Sequence, residues 1–382
     1  MIKLSRTQVN SWRLSKTHLA QRTPKRELPQ VASDVCGVQA QVLSGAALSL
    51  WARVDNITIQ DVEAALWRQR TLVKTWAMRG TLHLLTSSSL STYVAALKTL
   101  QDHNSEKIPY RIGPGPDDKQ YHITRAEQEH VTRAVQDSLD QKVLSREELA
   151  REIVKRTKLR PVLRSHLLSG FGSLLQHAAH QGSLIFGPNQ GSKVTFTRPE
   201  QWLGKQSQPS GEDALKLLLR QFYSTYGPAS HDDFAHWWGV RAPKAKILEQ
   251  LISAELEQVE FGHRPCKMLS RDVDQIQSIE EIHSGRLLPS WDTYVMFYHP
   301  REFFVPQEYR TRIFSQIQGN APVLLVDGIA GGTWQKIKKR AGIEITVRPF
   351  KTPSSAQKLA IDEEAALLRE FFGTDVKVYF DA

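Results

Sequence analysis

Apolar residues in the middle of the chain recur at helical spacing, and the run of helices ends in short β-type segments. This pattern predicts a helix over residues 123–139 that opens at Thr124, a second helix that opens with a capping box from Ser145 to Glu148, and a third over 165–180. Two short apolar runs around residues 187–191, Gly-Pro-Asn-Gln-Gly, predict a hairpin. Three helices followed by a hairpin are typical of the winged helix, a helix-turn-helix extended by a β-wing.

The same order of elements recurs downstream. The predicted elements are a helix over 211–226, a helix opening at Ser230, a helix over 244–254, and strands over 256–261 and 267–269. Ser230 is again followed three residues later by an acid, a pattern that is typical of a helix start. Trp237 and Trp238 lie on the amphipathic middle helix, which favours a core position over a base-stacking platform.

A looser version of the pattern covers the first hundred residues. It predicts helices near 5–20, 42–54, 59–68 and 88–99, with paired strands over 72–76 and 80–85. Residues 102–122 are rich in Gly, Pro, Asn and Asp, which is typical of a linker or loop.

The character of the chain changes to β-rich from about residue 271. Apolar runs follow at 287–288, 291–298, 323–326, 328–334, 342–347 and 376–380, with a helix over 354–372. Asp327-Gly328 between two of these runs is a strong hairpin signal. These runs predict a small, partly closed barrel.

The sequence therefore predicts an α+β protein in which tandem winged-helix units precede a β-rich, barrel-like domain. The expected segments are a winged-helix-like unit with a trailing loop (1–122), a second winged helix (123–205), a third winged helix (206–270) and the C-terminal domain (271–382).

Composition excludes several classes of protein. No apolar run approaches the roughly 20 residues needed to cross a bilayer, so no membrane association is expected. Cys36 and Cys266 are the only cysteines, which excludes a disulfide framework or a cysteine-rich zinc site and suits a cytoplasmic protein of bacterial type. The histidines lack metal-ligand spacing, and no phosphate-binding glycine loop is present, so neither a metal nor a cofactor is expected.

The net charge of +10 and the pI near 9.5 indicate a polyanionic partner, most simply double-stranded DNA, although colloidal solubility is an alternative. Residues 1–26 carry seven Lys or Arg and no acid, and residues 301–351 carry nine against four acids. An acid-free start is also typical of a transit peptide, but the apolar stripe along it favours the first helix of a domain.

The run Gln39-Ala40-Gln41 carries the candidate chemistry. Residues at i and i+2 lie on the same side of an extended segment but about 200° apart around a helix. If both amides serve one site, residues 39–41 must be extended or in a turn, with Gly37 and Gly45 bracketing the change. Taken alone, such a pair more often consists of polar residues on the protein surface than of site residues.

Several basic or polar residues are candidate DNA contacts. Arg79, Thr81 and His83 alternate on a predicted strand and would share one face, although His83 could instead be a hydrogen-bonded packing residue. The remaining candidates flank the wing or form a basic run near a later hairpin: Lys193, Arg198, Lys336, Lys338, Lys339 and Arg340. For Lys193 and Arg198, a solvated hairpin tip is an equal alternative.

Four segments together resemble the tandem winged-helix DNA glycosylases of the AlkZ/YcaQ type. They are Gln-Ala-Gln (39–41), Thr-Trp-Ala-Met-Arg-Gly-Thr-Leu-His-Leu (75–84), Leu-Pro-Ser-Trp-Asp-Thr-Tyr (288–294) and Val-Asp-Gly-Ile-Ala-Gly-Gly-Thr-Trp (326–334). The resemblance implies excision of alkylated bases, with unhooking of interstrand crosslinks in the AlkZ branch. It places Gln39 and Gln41 at the catalytic position. The YcaQ branch has Asp at the second position, so Gln41 makes this chain similar to the AlkZ branch.

The chemistry of the two amides narrows the expected substrate. A carboxamide is not a useful general base near neutral pH, but its donors and acceptor can hold a water against C1′. That contribution suffices best when the base is already cationic, as in N7-alkylguanine or N3-alkyladenine. We therefore expect a monomeric, monofunctional glycosylase that acts on alkylated DNA in repair or in self-resistance to a genotoxin. The alternative is a non-enzymatic winged-helix regulator.

Overall fold

The computed structural model describes residues 1–102, 110–112, 121–168, 173–315, 319–340 and 342–381. Contacts divide the chain into two compact units, Met1–Glu63 with Leu219–Ala382, and Ala64–Leu218. The first unit therefore combines both ends of the chain. Each unit gathers parts of several predicted segments, so the boundaries at 122, 205 and 270 remain predictions.

The first unit begins with three helices and two short strands. They are β1 (Ile2–Leu4), α1 (Arg6–Lys16), α2 (Leu28–Asp34), β2 (Val38–Gln39) and α3 (Leu43–Trp51). A capping box between Ser5 and Gln8 starts α1, because each side chain satisfies the backbone N–H of the other. The helices near 5–20 and 42–54 are confirmed in shortened form, whereas the patterns did not predict β1 or α2.

The second unit contains the first helix-helix-helix-hairpin segment. Helix α4 (Ile59–Trp67) begins in the first unit and ends in the second. The elements that follow are β3 (Leu72–Trp76), β4 (Leu82–Thr86), α5 (Leu90–Asp102), β5 (Tyr110–Ile112), β6 (Tyr121–Ile123), α6 (Arg125–Ser138), β7 (Leu144–Ser145), α7 (Arg146–Arg156), α8 (Pro161–Leu168), α9 (Ser173–His180), β8 (Ile185–Gln190), β9 (Lys193–Thr197) and α10 (Pro199–Leu203). Capping boxes at Thr124 and Ser145 confirm both predicted helix starts. The linker predicted at 102–122 falls partly outside the described residues, which include strands β5 and β6 within it.

Apolar side chains on these elements form one core. Trp76 of β3 packs against both Phe186 and Phe196 of the β8–β9 hairpin, at ring-centroid distances of 4.8 and 6.0 Å. Buried leucines of α7 and α9, among them Leu149 and Leu175, complete the cluster. The hairpin thus packs its apolar face on the preceding helices, and its strands join β7 in a three-stranded sheet of order β7-β9-β8.

The chain then returns to the first unit through the long helix α11. The elements that follow are α11 (Gly211–Tyr226), α12 (His231–Trp238), α13 (Ala242–Glu249), β10 (Leu256–Phe261), β11 (Arg264–Leu269) and α14 (Val273–Gln277). The predicted capping box at Ser230 is confirmed, and Trp237 and Trp238 are buried as predicted. Strand β1 adds to β10 in parallel, with Leu4 opposite Phe261, which no local pattern indicated.

The C-terminal part is β-rich, as predicted. Its elements are β12 (Gly285–Leu288), α15 (Thr293–Phe297), α16 (Arg301–Phe304), α17 (Arg310–Ile313), β13 (Phe314–Ser315), β14 (Gly319–Asn320), β15 (Val323–Val326), β16 (Ile329–Lys339), β17 (Gly342–Pro349), α18 (Ser355–Phe372) and β18 (Val376–Phe380). The hairpin at Asp327-Gly328 is confirmed, with both residues at positive φ (48° and 79°).

Two C-terminal predictions need correction. The main sheet has the order β12-β15-β16-β17-β18, and its edge strands β12 and β18 are not paired with each other in the described part, so closure into a barrel is not confirmed. The run 291–298 is not a strand. It forms the short helix α15, which begins because the Asp292 carboxylate accepts a hydrogen bond from the Tyr294 N–H.

The predicted mixed α+β class is confirmed, since helices and sheets occur in both units. Across the described ranges, no helix is both long and apolar enough to cross a membrane.

Candidate active site

Gln39 and Gln41 lie between strand β2 and helix α3. Gln39 ends β2 and is 6% exposed, whereas Gln41 is exposed. The chain enters this segment through a left-handed turn at Cys36 and Gly37 (φ 59° and 89°). The backbone is extended in β2 and again at Val42 (φ −117°, ψ 114°), where α3 is capped. The predicted non-helical setting is therefore present, but α3 already begins at Leu43, so Gly45 does not bracket it.

Helix α11 holds the turn that leads into the glutamine pair. Its side chains donate to three successive carbonyls at the end of α2: Gln221 Nε2 to Ser33 O, Thr225 Oγ1 to Asp34 O (2.6 Å) and Tyr226 Oη to Val35 O (2.7 Å). Carbonyls at a helix C-terminus lack the partner that the next helical turn would supply, and these side chains bond to them. Ser33 O also accepts from the Cys36 N–H at 2.8 Å. Tertiary contacts with α11 therefore hold the backbone of residues 33–35, which precede Gln39.

Cys36 in this turn is not a nucleophile. The thiol is buried, and its Sγ lies 3.4 Å from Thr225 Oγ1. Burial raises the pKa of the thiol to about 12, so it stays protonated and unreactive near neutral pH.

A polar cavity of about 470 Å³ lies against the same turn. Its lining includes Ser33, Asp34 and Thr225 with the cations Lys16 and Arg271. Neither Gln39 nor Gln41 is among the lining residues, so this cavity is not the candidate site.

A fully buried ion pair anchors α3. Arg53 and Asp292, both 0% exposed, form a bidentate pair with N–O distances of 2.7 and 2.8 Å. Asp292 also accepts from Ser49 Oγ (2.6 Å) and from the Tyr294 N–H (3.0 Å). With four donors on its two oxygens, Asp292 has no remaining role as a base, and it acts as a positioning residue for the helix behind Gln41.

The residue before Trp291 contacts the first turn of α3. A Cβ placed on Gly45 would lie 3.9 Å from Ser290 O. Trp291 follows with φ +65°, and its backbone N–H donates to Asn320 Oδ1 at 2.9 Å. The sequence patterns marked this segment only as a motif. They did not indicate the left-handed backbone at Trp291, because tryptophan has no intrinsic preference for positive φ.

The predicted shared face of Arg79, Thr81 and His83 is wrong. Only His83 lies on β4, since Arg79 and Gly80 adopt positive φ (55° and 68°) in the turn after β3. His83 is 1% exposed, and burial together with the charge of Arg79 lowers its pKa to about 3. The imidazole is therefore neutral near pH 7 and provides no charge for a phosphate, in line with the packing alternative.

Lys193 and Arg198 lie at opposite ends of strand β9. Lys193 is exposed at the tip of the β8–β9 hairpin, next to Gly191. Arg198 donates to Asp140 (2.7 Å) and to Glu200 (3.4 Å), so two nearby acids already balance its charge. Of the two, Lys193 is the more exposed, and hydrogen bonds from Ser145 together with the charge of Lys193 lower the pKa of the Glu148 carboxyl.

The basic run 336–340 lies at the end of the β16–β17 hairpin. Lys336 Nζ lies 4.6 Å from the ring centre of Phe372 on α18, and partial burial lowers its pKa. Lys338, Lys339 and Arg340 are exposed towards the tip, and Lys339 pairs with Glu344 at 3.3 Å. The hairpin therefore presents two to three solvated cations at one end. Among the described residues, no group of three His, Cys, Asp or Glu side chains could hold a metal ion.

A family comparison covers most of the chain. A model described as "DNA glycosylase AlkZ-like" matches residues 32–371. The chain belongs to the AlkZ-like DNA glycosylase family. It is 28% identical over 371 residues, 96% of each protein, to an interstrand DNA cross-link repair glycosylase of Streptomyces sahachiroi. It is also similar to the solved structure of the S. sahachiroi DNA glycosylase AlkZ, with a TM-score of 0.83, 28% identity and full coverage of both chains.

Membership of the AlkZ-like family makes this chain an enzyme, a DNA glycosylase. It confirms the resemblance that the four short motifs indicated and sets aside the non-enzymatic regulator. The site residues of this glycosylase remain predictions. In the structure, Gln41 is exposed just before α3 and Gln39 is largely buried. His83 is buried and neutral, so it is no longer a candidate for a charged DNA contact.

Proposed function

We propose that this glycosylase hydrolyses the N-glycosidic bond of cationic alkylated bases, N7-alkylguanine and N3-alkyladenine, in double-stranded DNA. The observation that carries the proposal is the pair Gln39 and Gln41 on a non-helical segment fixed from both sides, by α11 before it and by the Arg53–Asp292 pair after it. Rigid placement matters because an amide can contribute only by position.

In the proposed reaction, Gln41 and Gln39 orient a water towards C1′ of the damaged nucleotide. The bond from C1′ to the base nitrogen breaks, its electron pair neutralises the cationic base, and the water oxygen bonds to C1′ and then loses a proton to solvent. Amide oxygens stabilise the positive charge that develops on the sugar. Because the leaving base carries its own positive charge, little acid assistance is needed.

The substrate range extends, in this proposal, to interstrand crosslinks. The S. sahachiroi relative is named for cross-link repair, and the similarity spans 96% of both proteins. An N7-linked crosslink has the same cationic leaving group on each strand, so the same water attack releases one end of it.

The helix-helix-helix-hairpin segments supply the proposed DNA-binding frame. We interpret 125–197 and 211–269 as winged helices, because each has a capped helix followed by a helix and a two-stranded hairpin. The chain carries both segments and the C-terminal sheet by itself, which supports action as a monomer.

The proposal is tested by base release from a duplex with one N7-methylguanine. We expect release at least about 100-fold faster than release of uracil from a matched duplex, because uracil leaves as an anion and needs acid assistance that two amides do not give. Released base is quantified by chromatography under single-turnover conditions. Equal rates on the two duplexes would contradict the proposed chemistry.

The β16–β17 tip is expected to contact DNA phosphates. Lys338→Gln with Arg340→Gln should lower the salt slope of duplex binding by roughly 1–2, because each lost phosphate contact removes about 0.9 from the slope. The measurement is duplex Kd by fluorescence anisotropy across salt concentrations. Lys377→Gln, which removes an exposed charge from β18 of the same sheet, is the matched control and should leave the slope unchanged. An unchanged slope in the double variant would exclude this tip from the interface.

A further inference from the structure

Trp291 holds a backbone conformation that bulky residues avoid. Its φ of +65° lies in the left-handed region, where a Cβ crowds the following carbonyl. The conformation is imposed from both sides, since Asn320 accepts the Trp291 N–H and the next residue, Asp292, is fixed by Arg53. Strain that the surrounding structure enforces in this way is concentrated at functional sites.

The exposure of Trp291 distinguishes it from the other tryptophans. Six of the nine are buried. Of the partly exposed ones, Trp67 packs against the core of its unit, and Trp202 faces the guanidinium of Arg70 at 3.9 Å. Trp291 is partly exposed, and among the described residues its indole has no ring, cation or hydrogen-bonding partner. Ring, cation and hydrogen-bonding contacts within the described residues therefore do not account for a strained tryptophan here.

Trp291 follows a residue that lies against helix α3. Ser290 O is 3.9 Å from the position that a Cβ on Gly45 would occupy, in the first turn of α3, and Gln41 lies in the non-helical segment two residues before that helix begins. The segment that carries Trp291 therefore adjoins the helix that follows the glutamine pair.

From this geometry we infer that Trp291 is a specificity residue that stacks on the alkylated purine. The inference rests on the proposed function and adds the group that selects its substrate. An indole face is electron-rich and attracts a cation, so it binds an N7-alkylpurinium ring more tightly than a neutral purine. Stacking also holds the base while Gln41 directs water to the sugar. A partly exposed ring has a face available for such a contact.

The test uses Trp291→Gly in the full-length protein. Glycine adopts positive φ without strain, so this variant removes the ring and keeps the backbone. We expect a melting temperature no more than a few degrees below that of the wild type, and a fall of at least about tenfold in the single-turnover release of N7-methylguanine. Trp291→Phe should retain most of the rate, and Trp202→Ala, the control at another partly exposed tryptophan, should retain all of it.

Two outcomes would overturn the inference. One is release by Trp291→Gly within about threefold of the wild-type rate. The other is a large drop in its melting temperature with a parallel loss of undamaged-duplex binding, which would make Trp291 a packing residue.

A second measurement separates this inference from the proposed function. The wild-type protein is titrated with 7-methylguanosine and with guanosine, and binding is followed by quenching of tryptophan fluorescence. We expect tighter binding of the cationic nucleoside and loss of that preference in Trp291→Gly. If the wild-type protein releases no base, the proposed function fails, and the titration still decides on Trp291. Equal binding of 7-methylguanosine by both proteins would overturn the stacking role.

Discussion

Replacing Gln41 with alanine is expected to lower the single-turnover rate of N7-methylguanine release by roughly 100-fold or more, a loss typical of removing one positioned polar group from an active site. The Gln41 side chain is exposed at the start of α3, so the substitution leaves no buried cavity and the melting temperature should not change. The measurement is release from a duplex with a single lesion, with enzyme in excess.

The controls separate chemistry from binding and folding. Gln41→Ala should bind undamaged duplex with the wild-type salt dependence, and Gln250→Ala, at an exposed glutamine of the same unit, should release base at the wild-type rate. Gln41→Asp should retain more activity than Gln41→Ala, because a carboxylate can also orient a water.

Gln39→Ala is expected to cause a similar loss of rate. Because Gln39 is 6% exposed, its substitution also needs a melting curve. A parallel loss of duplex binding and of rate in the two glutamine variants would give the pair a structural role.

Asp292→Ala is expected to lower the free energy of unfolding by about 3–5 kcal/mol, the usual cost of leaving one member of a buried ion pair without its partner. Arg53 would remain in a site with no solvent access. Urea unfolding followed by circular dichroism measures the loss.

Two further variants define what the loss means. Asp292→Ala combined with Arg53→Met should recover much of the stability, because no uncompensated charge then remains. Glu129→Ala breaks the exposed pair with Arg125 and should change stability by less than about 1 kcal/mol. A loss below about 1 kcal/mol for Asp292→Ala would mean that water reaches the pair in solution.

Local signals in the sequence predicted much of the secondary structure. The capping boxes at Thr124, Ser145 and Ser230 all occur at observed helix starts, because the bonds that define them join residues three positions apart. Asp327-Gly328 forms the predicted hairpin turn for the same reason: its preference for positive φ is intrinsic to the two residues.

Predictions that depended on a regular continuation of a pattern were less reliable. Arg79, Thr81 and His83 alternate in the sequence, but the left-handed turn at Arg79 and Gly80 ends the extended backbone between β3 and β4. The run 291–298 is apolar enough for a strand, but the side chain of Asp292 caps a helix there. In both cases one or two residues, through a left-handed turn or a side-chain cap, overrode the average pattern.

Local sequence signals specify several of the observed helix starts and hairpin turns, and the four short motifs specify the family. Contacts between distant parts of the chain place β1 beside β10, pair Asp292 with Arg53 at a separation of 239 residues, bury His83 in its neutral form, and hold Trp291 at positive φ beside α3. The difference lies in how far apart along the chain the interacting residues are. Caps and turns depend on neighbours along the chain, whereas burial, ion pairing and imposed strain depend on segments that meet only when the chain has folded.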